Sequence, residues 1–232
     1  MKYMISSYSV QLFLFVDKCS FVPTIDNSMA QSHTTYRERA IDLTRALGIA
    51  RARDFKAAGI PLVYLKRMAD AGELVRLGRG LYQDPARVGE DAAHDLAEAT
   101  RLVPNGVISL VSALRHHGLT TQLPNAVWMT IPHKARTPNV RVPKLEIVRA
   151  TGEVLTAGIE RIRVEGVEVP IFSVAKTVAD CFKHRRQIGE DVAIEALRDS
   201  LRQRKTTASE LMKYAEIDRV TGRIAPYIKA MQ

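Results

Sequence analysis

Residues 59–83 read GIPLVYLKRMADAGELVRLGRGLYQ, and their punctuation decides the fold. Pro61 suits a first helical turn, where its missing N–H costs nothing, so a helix is expected over 61–71. Leu65 and Met68 are three apart and pack inward with Ile60, and Gly72 ends the helix. Residues 73–77 and 81–82 then read as two short strands around the tight Gly78-Arg79-Gly80 turn. Upstream, 34–47 carries Ile41, Thr44 and Leu47 on one helical face, with Gly48 as its stop. Residues 51–58 form a second short helix, anchored by Phe55 and ended by Gly59. Three helices and a hairpin within about fifty residues have the layout of a winged helix–turn–helix.

In such a unit the third helix enters the major groove and the second crosses the phosphate backbone. With Ile60, Leu65 and Met68 inward, the outward face carries Leu62, Val63, Lys66, Arg67 and Asp70. Lys66 and Arg67 then reach base edges or phosphates; a bidentate arginine–guanine contact is worth roughly 1–3 kcal/mol of discrimination. Leu62 and Val63 suit thymine methyls. Arg51 and Arg53 open the second helix, where phosphate is favoured. Arg76 and Arg79 flank the wing tip. Between Met29 and Gly89 there are eleven basic and six acidic residues, a surplus of five within a whole-chain charge of +9. Such a surplus favours an anionic partner, nucleic acid before membrane. The bland reading of the same arginines is a solvated face, and winged helices also bind proteins.

The chain has 232 residues, 46% of them hydrophobic, enough for a packed core. Its two cysteines, Cys19 and Cys181, exclude a disulfide scaffold and suit a reducing, cytoplasmic setting. No run of about 18 apolar residues is present, so no spanning helix and no membrane partner are expected. Residues 1–28 lack the basic start and the cleavage site of a signal peptide. They read as a disordered or mis-called extension with Met29 as the start; a native peptide beginning at Met1 would contradict this. The winged helix is assigned to 34–84. Beyond it, 92–102, 109–117, 173–182, 191–201 and 209–214 read as helices, and 127–131, 145–148, 159–164 and 167–172 as strands. Glu165-Gly166 turns a hairpin, and Thr207-x-x-Glu210 is a capping box. The fold class is therefore α+β: an N-terminal winged helix–turn–helix followed by a mixed α+β domain over 90–232.

The motifs of catalysis are missing. There is no Walker loop, no G-x-S-x-G elbow and no D…E-x-K order of a metal nuclease. His116 and His117 are adjacent, so they diverge by about 100° on a helix and cannot easily share a metal; near Gly118 they suit the carbonyls at the helix end, or packing. His94, His133 and His184 stand alone. Lys176 and Asp180 have the i, i+4 spacing of a helical ion pair worth some tenths of a kcal/mol of helix support. No catalytic residue, metal or cofactor is expected. A second basic cluster, with Lys134, Arg136, Arg141, Lys144 and Arg149, lies in a proline-punctuated loop and strand. It either extends a DNA footprint, through Lys134, Arg136 and Arg141, or guards a sheet edge.

The 59–83 run resembles the N-terminal winged helix of the AbiEi family, the antitoxins of type IV toxin–antitoxin systems. ISLVSALRHHGLTTQLPNAVWMTIP (108–132) is similar to the family's Ser-Ala-Leu-x-x-His-Gly-Leu segment, and VPIFSVAKTVADCF (169–182) to a later one with a Lys/Arg-Thr-x-x-Asp core. The resemblance implies a cytoplasmic, non-enzymatic repressor that binds double-stranded operator DNA with inverted repeats, as a monomer or weak dimer. It also implies a C-terminal domain that counteracts a nucleotidyltransferase-like toxin without a necessary direct complex. By position, Lys66, Arg67, Arg76 and Arg79 would touch DNA; Leu62 and Val63 stand where the family often has polar residues. The alternatives are a winged-helix regulator or protein-binding module without antitoxin activity, and a diverged DNA-processing enzyme.

Overall fold

A computed structural model describes residues 35–78, 80–88, 93–138 and 143–231. The readings on 1–28, and the residues Arg79 and Arg141, lie outside them. Helix α1 (Tyr36–Leu47) opens on a reciprocal cap: Thr35 Oγ1 accepts from the Glu38 N–H, and the Glu38 carboxylate accepts from the Thr35 N–H. Strand β1 (Ile49–Arg51) and helix α2 (Ala52–Ala57) follow, then α3 (Leu62–Asp70), β2 (Val75–Gly78) and β3 (Leu81–Gln83). Both α2 and α3 end in the same way. Gly59 and Gly72 adopt φ of +72° and +74°, and the next residues, Ile60 and Glu73, donate back to the carbonyls of Phe55 and Met68. That closure satisfies the last helical carbonyls, and glycine enters the left-handed region without the Cβ penalty.

The winged helix closes over Ala40, Ala50, Phe55, Ile60, Leu65, Met68, Leu74 and Tyr82, with the Phe55 and Tyr82 rings edge to face at 5.8 Å. Sequence reading missed β1. It pairs antiparallel with β3, giving a three-stranded sheet of order β1-β3-β2. A bulge between Arg76 and Gly78 twists the wing strand β2 against β3.

The rest of the chain runs α4 (His94–Leu102), β4 (Val107–Ile108), α5 (Leu110–His116), β5 (Val127–Pro132), β6 (Leu145–Ala150) and α6 (Glu153–Thr156). Then come β7 (Ile159–Val164), β8 (Val167–Phe172), α7 (Val174–Lys183), α8 (Arg185–Ile188), α9 (Glu190–Arg202), α10 (Ala208–Ile217) and α11 (Thr221–Ala230). One five-stranded mixed sheet, order β6-β5-β4-β8-β7, organises them, so the protein is α+β with an N-terminal winged helix. The β7–β8 hairpin turns on Glu165 and Gly166 at φ of +48° and +80°, the paired positive values that a two-residue turn between twisted strands requires. One core joins the sheet to α4 and to Ile49 and Leu81 of the winged helix. Another packs α5, α7, α9, α10 and α11 around Phe182, Leu197, Leu211 and Ile224. The Thr207–Glu210 capping box forms as read.

The short strands β4 and β1 and the helices α6, α8 and α11 were not read from the sequence. Cys181 is a free, buried thiol. Among the described residues no helix is long and apolar enough to cross a membrane.

Candidate nucleic-acid interface

Helix α3 divides cleanly between core and solvent. Leu65 and Met68 are buried, while Leu62, Val63, Lys66, Arg67 and Asp70 are exposed. Leu62 is 49% and Val63 55% exposed, large values for apolar side chains. The Arg67 guanidinium lies 5.8 Å from the Tyr64 ring centroid, which keeps its stem along the helix. On the wing, Arg76 is exposed and its Nε donates to the Gly78 carbonyl at 3.3 Å. The Ala52 N–H donates to the Gly80 carbonyl at 2.8 Å, tying the start of α2 to the wing turn.

Arg51 and Arg53 differ in setting. Arg53 is exposed and 3.7 Å from Asp54. Arg51 is half-buried, and burial, then the neighbouring Arg53 and Arg101, lower its pKa from the usual arginine value. Lys134 and Arg136 are exposed in the loop after β5. Strands β5 and β7 both run antiparallel to the central pair β4 and β8, so they end on the same side of the sheet. They are three strand positions apart, about 14 Å at the usual spacing. Arg149 of the same cluster has a structural job: its guanidinium donates to the carbonyls of His133 (2.7 Å) and Ala135 (2.8 Å) and to Thr137 Oγ1 (2.9 Å).

The winged helix is docked on the second sheet through polar groups that sequence reading left isolated. Glu165 Oε2 accepts from Gln83 Nε2 at 2.5 Å and lies 2.8 Å from His94 Nδ1, so His94 does not stand alone. The Arg101 guanidinium donates to the Leu47 carbonyl at 2.6 Å. His117 Nε2 lies 2.8 Å from the Phe172 carbonyl, a strand partner and not its own helix end.

Lys176 and Asp180 also need correction. Their i, i+4 spacing suggested a modest helix-supporting pair, yet Lys176 is fully buried. Its Nζ donates to Asp180 Oδ1 at 2.6 Å and to both carboxylate oxygens of Asp218 at 3.0 Å. Asp218 closes the site from the end of α10, 42 residues away, and Lys183 lies 3.6 Å from it. The carboxylates are consumed by lysine inside the core. Among the described residues no cluster of three or more His, Cys, Asp or Glu is placed to hold a metal ion.

Residues 38–83 match the family model described as "Transcriptional regulator, AbiEi antitoxin". The fold resembles the crystal structure of the RV2827C protein from Mycobacterium tuberculosis, with a TM-score of 0.55 and 13% identity over 85% of this chain and 82% of that one. No curated protein matches the chain significantly. The matched segment runs from the first turn of α1 to the end of β3, with Lys66, Arg67 and Arg76 on its solvent side. Over residues 38–83 the chain is therefore similar to the AbiEi antitoxin transcriptional regulators.

Proposed function

We propose that the chain is the DNA-binding antitoxin of a type IV toxin–antitoxin system. In this reading residues 34–84 bind operator DNA carrying inverted repeats and repress the chain's own operon. Residues 90–232 counteract a nucleotidyltransferase-like toxin, and no catalysis by this chain is involved. The observation that carries it is the outer face of α3: Lys66 and Arg67 stand in solvent while Leu65 and Met68 hold the helix to its core. Arg67 is assigned to a base edge, Lys66 to bases or phosphate, and Arg51, Arg53, Arg76 and Arg79 to phosphate. Lys134, Arg136 and Arg141 are secondary contacts.

The exposed Leu62–Val63 pair supports a second reading, in which α3 grips an apolar partner surface. Gel-shift binding to the DNA upstream of the chain's own gene separates the two. Retardation of that fragment, with weaker binding to an unrelated fragment of equal length, is expected. No retardation at low salt would remove the operator reading and leave the protein-binding one.

A further inference from the structure

A groove at the root of the wing extends to the second sheet. Its first part, about 310 Å³, is lined by Arg51, Arg53 and Arg101 beside Gly80 and Leu81. A second part, about 560 Å³, shares those three arginines and adds Arg161 and Arg163 of β7. On β7 these two alternate with Ile162 and Val164, which pack into the core, so both arginines fall on one face of the strand. Among the described residues, the only carboxylate side chain lining either part is Glu168, and it is ion-paired with Arg161. Arg53 has Asp54 nearby. Among the described residues, Arg51, Arg101 and Arg163 have no carboxylate within ion-pair distance.

Holding these cations together is costly. Arg101 is half-buried, burial lowers its pKa, and its Nε is buried without a hydrogen-bond partner. Like charges drawn into a concavity raise the energy of the empty protein, and a bound anion relieves both the repulsion and the lost hydration. The groove opens to solvent and spans several elements, with walls from β1, α2, α4 and β7. Arginines spread over four separate elements fit a row of phosphates better than one small anion.

We infer that this groove carries the sugar–phosphate backbone of DNA beyond the segment gripped by α3 and the wing, with Arg101 and Arg163 as phosphate contacts. The inference rests on the DNA-binding reading of the winged helix. It differs from that reading in using residues of the second domain, between 101 and 163.

Fluorescence anisotropy on the full chain tests it, with labelled duplexes of about 12 bp (roughly one helical turn) and about 30 bp sharing one central sequence. The proteins are wild type, Arg163→Gln, Arg101→Gln and Arg67→Gln. Arg163 is exposed, so its variant should fold; the melting temperature of Arg101→Gln is checked. Arg163→Gln should weaken the long duplex several-fold, lower its log–log salt slope by roughly 1 and leave the short duplex unchanged. Arg67→Gln should weaken both. If Arg163→Gln and a folded Arg101→Gln bind the long duplex like wild type while Arg67→Gln weakens it, the groove is refuted and the winged helix stands. If Arg163→Gln acts on the long duplex and Arg67→Gln on neither, the groove is supported and the winged-helix reading fails. Equal loss on both lengths, or tighter binding of single-stranded RNA that Arg163→Gln abolishes, overturns the inference.

Discussion

Gly48 and Glu165 meet backbone to backbone: a β-carbon on Gly48 would lie 1.8 Å from the Glu165 carbonyl oxygen. This contact, with the Gln83–Glu165 bond, seats the winged helix on the β7–β8 turn. Gly48→Ala therefore cannot be absorbed locally, since backbone must move. Gly72 has a similar φ of +74°, but nothing lies within 4 Å of its would-be β-carbon. We expect Gly72→Ala to cost about 1–2 kcal/mol, the left-handed backbone penalty alone, and Gly48→Ala about 3 kcal/mol or more. Urea unfolding midpoints compare the two directly; equal costs would show that the docking contact does not hold.

The face of α3 is open to the same kind of test. Leu65→Ala should lose about 2–5 kcal/mol, because it opens a cavity in the winged-helix core. Leu62→Ala should stay within about 0.5 kcal/mol of wild type, since the side chain is 49% exposed. A reversed order would mean that α3 presents its other face.

Lys176 donates to two buried carboxyl groups. Lys176→Met keeps much of the volume and removes the charge, leaving Asp180 and Asp218 facing each other. A loss of about 3–5 kcal/mol in denaturant unfolding is expected, the usual cost of breaking a buried ionic cluster from one side. A loss below about 1 kcal/mol would fit the modest i, i+4 pair that the spacing alone suggested.

The same cluster sets a pH dependence. Burial, opposed by Lys176 and reinforced by Asp218, pushes the Asp180 carboxyl up to about 7. The unfolded value is about 3.9, so between the two the native chain holds a proton that the unfolded chain has lost. This group's contribution is complete below about pH 4 and disappears as pH rises through about 7. Asp180→Asn should flatten the trend, so that wild type loses more stability than the variant between about pH 5 and about pH 8. Parallel profiles would place the titration elsewhere.

Local signals carried most of the architecture. Pro61, Gly59 and Gly72 bound two helices, Leu65 and Met68 share a face at helical spacing, and Glu165-Gly166 marks a hairpin turn. These depend on residues close in sequence, where φ preferences and side-chain period act directly. Strands β1 and β4 escaped because three and two residues give no alternation to read. The burial of Lys176 escaped because its second partner, Asp218, arrives only through the packing of α10 on α7. The outer face of α3 was legible for the same local reasons. The arginine groove was not, since Arg51, Arg101 and Arg163 come from separate elements; the Arg161-x-Arg163 alternation on a strand was its one sequence trace.

The account turns on Lys66 and Arg67 meeting DNA. The direct measurement is affinity for the DNA upstream of the chain's own gene across a salt series, for wild type and the Lys66→Gln/Arg67→Gln double variant. Wild type should weaken with a log–log slope of about −0.9 per neutralised phosphate, and the double variant should bind at least tenfold more weakly with a slope shallower by roughly 1–2. Binding that ignores salt, or a double variant that matches wild type throughout, would contradict it.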